Sequence, residues 1–286
     1  MTDIVKTMQS QLTLARFDPL LRWLVPGAAV LAIAVWFYIA PPGLLGKMDA
    51  LGYAICHRID ERSFHIGDRQ LPLCARCTGE FFAAAFGLSF LGVLSPRRGQ
   101  LPSRGVLAVL VAFFLAFAID GSNSYLYLLK STSPGRLGYI PTLYLPNNTL
   151  RLFTGSGMGL TLAGVLYPIM NQTLWRVPDK RRVLDWKSLG LLVGGMLVLD
   201  LLILTESPLV LYPVAVLSTL GVLGLLVIVF AIFWITVMRQ ENAFENIRQL
   251  WLPASAGLTL ALLLILSIDF VRFQLTGTWS GFPGLG

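Results

Sequence analysis

The sequence predicts an all-α protein, a polytopic transmembrane helical bundle of about seven spans. Only 13% of its residues are charged while 55% are hydrophobic, against roughly a quarter charged in an ordinary soluble domain. Five stretches contain no Asp, Glu, Lys or Arg: Trp23–Gly46, Phe81–Pro96, Leu152–Trp175, Ser207–Met238 and Gln249–Ile268. Two more, Gly105–Leu129 and Ser188–Thr205, are each interrupted by one aspartate. Most approach the ~20 apolar residues that cross a bilayer core as a helix.

Taken in order, residues 1–20 read as an amphipathic entry segment. The first span, Trp23–Gly46, lacks a small-x-small cleavage site and runs into Pro41-Pro42, so it is expected to stay as a helix rather than act as a cleaved signal. A polar loop rich in Cys and His follows over 43–79. Phe81–Pro96 is too short to span unless its helix starts a turn earlier, near Cys77, which draws Glu80 to the membrane boundary. The third span ends around Asp120-Gly121-Ser122-Asn123. A second loop, near 122–149, is rich in Tyr, Leu, Pro and Gly and is expected to fold against the membrane interface. Pro146-Asn147-Asn148-Thr149 closes it with helix-start chemistry before Leu150-Arg151 opens the fourth span. Small-residue stripes, Gly155/Gly159/Ala163 in the fourth span and Gly190/Gly194 in the fifth, predict close helix packing. Residues 21–175 thus read as a membrane core bearing the Cys/His loop, and 176–286 as a C-terminal three-helix portion.

The net charge of +7 does not point to nucleic acid, because the cations are spread over the loops. Lys6, Arg16 and Arg22, the Arg97-Arg98-Arg104 turn, the Arg176–Lys187 loop, and Arg239 and Arg248 fall on one side of a seven-span chain. The positive-inside rule makes that side cytoplasmic. The N-terminus is then cytoplasmic and the Cys/His loop extracytoplasmic, in the cell membrane.

Helix alternation gathers the polar residues at one end. Glu80, Asp120, Asn123, Asn147, Asn148, Arg151, Glu206, Asp269 and Arg272 border the same face as the Cys/His loop, with Asp200 somewhat deeper. Ionisable groups at membrane depth cost at least ~2.5–3.5 kcal/mol each on insertion scales and usually pair or line a cavity. Asp269–Arg272 is expected to be an interfacial pair. Asp120 with Asn147, Asn148 and Arg151 forms either such a pair or a polar pocket.

Every cysteine and histidine of the chain lies in "CHRIDERSFHIGDRQLPLCARC". Cys74 and Cys77 form a C-x-x-C, a tight turn that aims two sulfurs at one point, and Cys56-His57 offers two further ligands upstream. A Cys₃His set is what a structural zinc takes, and Arg58, Arg62, Arg69 and Arg76 favour thiolates. A Cys74–Cys77 disulfide leaves Cys56 unpaired, which counts against it.

The same residues carry a resemblance. Cys56-His57, Arg62-Ser63-Phe64, Leu71–Gly79, Asp120-Gly121, and Asn147, Asn148, Arg151, Thr154 and Gly155 are similar to the signature of an uncharacterised prokaryotic membrane-protein family, a domain of unknown function. The likeness covers roughly residues 50–160. It implies a prokaryotic polytopic membrane protein with a functional constellation at one face, and it implies no reaction. His65 stands where the family has an apolar residue, so His57 is preferred as ligand.

Three functions follow as expectations. The first is a zinc-stapled scaffold or accessory subunit of a membrane complex, with other membrane subunits as partners. The second is a membrane metalloenzyme acting on an anionic lipid or other amphipathic, lipid-like ligand. In it Asp120 and Arg151 are catalytic, Asp120 as base, and Asn147, Asn148, Arg151 and Glu80 bind the ligand. The third is a thiol–disulfide relay through C-x-x-C. Neither haem nor a nucleotide is expected: two histidines in one loop cannot supply a transmembrane pair of axial ligands, and "TGSGMG" follows no strand.

Overall fold

The computed structural model describes residues 2–132 and 140–279, with the backbone alone for 2–18. The expected amphipathic face of the N-terminal segment, and the 133–139 part of the second loop, therefore lie outside what is described. Helix α1 (Thr2–Ile39) ends just before Pro41-Pro42. The remaining long helices are α3 (Ala75–Leu94), α4 (Arg104–Thr132), α5 (Asn148–Leu174), α6 (Trp186–Ile203), α7 (Pro208–Val237) and α8 (Trp251–Thr276). Together with α1 from Pro19 onward, they give seven helices long and apolar enough to cross a membrane. The chain is an all-α, multi-pass membrane protein.

The stretch 43–79, expected as a loop, is a folded cap. It contains α2 (Leu44–Ile55), a 3₁₀ turn at Asp60–Arg62, and a short antiparallel hairpin of β1 (His65–Ile66) and β2 (Arg69–Gln70). The helix has a clear cause: Met48, Leu51 and Ile55 recur at three- and four-residue spacing and turn one face toward α7 and α8. Gly67, at φ 60°, supplies the left-handed residue of the two-residue hairpin turn. At the opposite end of the bundle, β3 (Arg98–Gln100) pairs in parallel with β4 (Asp179–Arg182), and Trp175 bridges to Phe244.

The centre of the bundle is the α3–α5 pair, its most extensive helix contact. Glycine makes it possible. A Cβ at Gly155 would stand 2.1 Å from the Arg76 carbonyl oxygen, and one at Gly159 2.1 Å from that of Glu80. The Gly155/Gly159/Ala163 stripe thus lets two backbones meet, as expected. The α6 stripe does not: nothing stands within 4 Å of a Cβ built at Gly190 or Gly194. Asp200 is buried between helices and accepts from Ser156 Oγ at 2.8 Å.

Candidate metal-binding site

Alternation of the spans brings α2, the N-termini of α3 and α5 and the C-termini of α4 and α8 to one end. Hydrogen bonds join them there. Asn148 Nδ2 donates to the carbonyls of Glu61 and Ser63 at 3.3 and 3.4 Å. Arg272, on α8, lies over the Tyr53 ring and donates to the carbonyls of Tyr53, Cys56 and His57. A guanidinium on the last carbonyls of α2 is favourable in charge as well as hydrogen bonding. Arg272 therefore anchors the backbone at Cys56, a tie that an Asp269 partner on its own helix would not provide.

Cys56 follows α2 with extended backbone (φ −113°, ψ 143°) and is 2% exposed. Cys74 is the N-cap of α3 and Cys77 sits in its first turn, so the C-x-x-C occupies the positive end of a helix. A Cβ at Gly52 would stand 2.1 Å from the Pro72 carbonyl oxygen, so glycine allows α2 to lie directly on the segment leading to Cys74. The three sulfurs converge, all within 4.8 Å of one another. Cys56 Sγ accepts the backbone N–H groups of Cys74 and Arg58 at 3.3 and 3.4 Å. Arg58 is buried and left-handed (φ 52°), braced by Asp49 Oδ1 at 3.0 Å and the Trp279 carbonyl at 2.8 Å. Leu73 and Val222 back the thiols with an apolar wall. Hydrogen bonding to Cys74, with burial behind it, pushes the Cys56 thiol up to about 12. Hydrogen bonds from Cys56 and Cys77, with the Arg76 charge nearby, hold Cys74 well below the usual thiol range.

His57, expected as the fourth ligand, does not join this group; it is exposed and lines a cavity beside it. The reason is geometric: on an extended chain, neighbouring side chains point to opposite sides. With Cys56 turned inward, His57 faces out. His65 lies in the hairpin, with Nε2 2.9 Å from Asp60 Oδ1.

The cavity measures about 540 Å³ and is lined by Cys74, Cys77, His57, Arg62, Arg76, Arg151 and the C-terminal part of α4. Asp120 is 1% exposed beside it and is held on several sides. Arg76 Nε and Nη2 reach Oδ2, with the Nε contact at 3.0 Å. Tyr144 O–H donates to Oδ1 at 2.8 Å, and Thr154 Oγ1 donates to Oδ2 at 3.2 Å. Arg76 Nη2 also donates to Ser124 Oγ at 3.0 Å. The partner of Asp120 is thus Arg76, not the expected Arg151. Burial and the adjacent Asp120 carboxylate push the Tyr144 phenol up to about 12, which keeps it a donor. Tyr144→Phe is expected to cost about 1.5–3 kcal/mol, the worth of a hydrogen bond to a charged group, seen as a lower thermal midpoint with the fold retained.

The other expected binding residues divide. Asn147 caps α5, accepting from the Leu150 N–H at 2.8 Å. Asn148 Oδ1 accepts from Arg151 Nη1 at 2.8 Å. Arg151 lines the cavity; Glu80, a turn along α3 from Cys77, is half-buried and is not among its lining residues. Sequence reasoning missed Tyr144 and the Arg76–Asp120 pairing. The only available signal was an arginine held between two cysteines.

The fold and this end of the bundle define a class: a multi-pass membrane protein whose three cysteines are close enough to hold a metal ion. Within it, residues 56–165 match the family described as "Predicted membrane protein (DUF2085)". An uncharacterized protein of Methanocaldococcus jannaschii, MJ1492, is 24% identical over 123 residues, which are 43% of this chain and 67% of the relative. No solved structure matches the chain.

Proposed function

We propose that this is a cell-membrane metalloenzyme carrying one zinc-type ion on Cys56, Cys74 and Cys77, with the thiol end extracytoplasmic and the N-terminus cytoplasmic. One observation carries the proposal: three sulfurs converge within 4.8 Å of one another, and two of them, Cys74 and Cys77, line a cavity. Three protein ligands and an open fourth position distinguish a catalytic zinc from a closed structural one. Such an ion would supply Lewis acidity to a substrate oxygen in the cavity. Arg151 lines the substrate side, while Arg76, braced by Asp120, shapes it. Residues 21–175 supply the site, and 176–286 supplies its backing through Val222 and Arg272.

Elemental analysis of the detergent-purified protein is the test, paired with a thiol count before and after chelation. One zinc per chain is expected, with three thiols appearing only after chelation. Cys74→Ser is expected to remove the zinc, and His57→Ala to leave it in place. Loss of zinc in His57→Ala instead means a closed Cys₃His staple, and hence the scaffold. No metal, with one disulfide and one free thiol, sinks the metal centre and leaves the thiol relay.

A further inference from the structure

Arg151, in the first turn of α5, is only 6% exposed, yet among the described residues no carboxylate lies within 4.0 Å of it. Its Nη1 donates to Asn148, and its Nε is buried with no partner. Residues 133–139, the part of the neighbouring loop outside the described structure, contain Arg136 and neither Asp nor Glu. Arg62 repeats the pattern. It is half-buried, and its Nη2 donates to the Ser124 carbonyl at 3.3 Å, with no carboxylate ion pair among the described residues. Arg76 beside them has Asp120. A buried guanidinium without an anion is costly at membrane depth, so such a group normally pairs or lines a binding cavity.

Both arginines face a common space. The cavity beside Cys74 and Cys77 shares Arg62, Arg151, Leu128 and Thr132 with a second cavity of about 590 Å³ that leads past Leu145 and Pro146. Glu61, exposed, lies on the wall of that outer part. Apolar side chains line both parts, Tyr125, Leu128 and Leu129 the inner cavity and Tyr127, Leu128 and Leu145 the outer one, giving each an apolar bed. The N-terminus of α5 adds its positive dipole at Arg151.

We infer that this paired cavity binds a phosphate oxyanion, with Arg62 and Arg151 as its receptors. Two guanidinium forks arriving from different elements can share the several oxygens of a phosphate better than the two of a carboxylate. A lipid headgroup and free phosphate share this chemistry; the apolar bed favours the lipid. The inference names the substrate class of the proposed metal centre, and rests on that proposal only in taking the cavity as its working face.

The test is calorimetric titration of the full chain in an uncharged detergent, with dihexanoyl phosphatidic acid and with inorganic phosphate as separate probes. Zinc content is measured on every sample. Wild-type protein is expected to bind the lipid about tenfold or more tightly than inorganic phosphate, and Arg151→Gln to weaken the lipid about tenfold or more. Arg151→Lys is expected to fall between, because it keeps the charge and loses the fork. Arg62→Gln, on the cap rather than in a span, gives the same readout should Arg151→Gln fail to fold. Equal affinity for the two probes, weakened by the same variants, keeps the oxyanion site and assigns it to free phosphate. Binding that is absent, or unchanged in both Gln variants, overturns the inference. If zinc is missing while the variants still weaken binding, the metal centre fails and the oxyanion site stands. If zinc is present and binding is unchanged, the metal centre stands and the oxyanion site fails.

Discussion

Gly159→Leu is expected to leave almost no folded protein. A Cβ there would already stand 2.1 Å from the Glu80 carbonyl oxygen and 2.8 Å from the Ala84 nitrogen. Backbone cannot yield as a flexible side chain does, so α3 and α5 must separate. Overpacking a side chain commonly costs about 1–3 kcal/mol and occasionally more; prying apart the central helix pair puts this variant at about 3 kcal/mol or above. Size-exclusion chromatography with thermal unfolding in detergent measures it. The metal centre is expected to go with the fold, because α3 carries Cys74 and Cys77. Gly190→Ala is the matched control. Its Cβ meets nothing within 4 Å, and alanine favours a helix over glycine by about 0.8–1 kcal/mol. Unchanged or raised stability is expected there. A Gly159→Leu protein as stable as wild type would show that α3 and α5 do not meet through that glycine.

Arg76→Met is expected to cost about 3–5 kcal/mol, the usual loss when one member of a buried ion pair is left uncompensated. Asp120 would keep Tyr144 and Thr154 as hydrogen-bond donors but lose its guanidinium. The double variant Arg76→Met/Asp120→Leu is expected to recover much of the loss, since replacing both partners by apolar groups is often near neutral. Thermal midpoints of the two singles and the double make a cycle whose coupling term reports the pair directly. Purely additive losses would mean that the two side chains do not interact. Because Arg76 lies between Cys74 and Cys77, zinc retention in Arg76→Met also reports whether the brace is needed to hold the thiols in place.

Span positions are legible in the sequence because solvation by a bilayer is a property of local composition: a run such as Ser207–Met238 needs no knowledge of its neighbours to predict α7. The early start of α3 follows from length alone. The gathering of Asp120, Arg151 and the cysteines at one end follows from alternation. The C-x-x-C turn is local as well. In contrast, α2 reads as loop although Met48, Leu51 and Ile55 carry a helical period, because a 12-residue helix is hidden among prolines, glycines and a flanking polar stretch. The exclusion of His57 follows from the alternation of side chains on an extended chain, but only once the backbone at Cys56 is known.

Partner choice lies beyond the sequence. Nothing in the order of residues says that Asp120 meets Arg76 instead of Arg151, or that Arg272 crosses to the carbonyls at Cys56. Nor does it say that Gly159 faces a backbone while Gly190 faces open space. These depend on the rotation of each helix about its axis, and that is fixed by the sum of packing across the bundle. By itself the sequence determined seven spans and one polar end, because burial in lipid is decided segment by segment. Only the tertiary structure decided which thiols converge, and which of Arg62, Arg76 and Arg151 has a carboxylate partner among the described residues, because those are distances between segments.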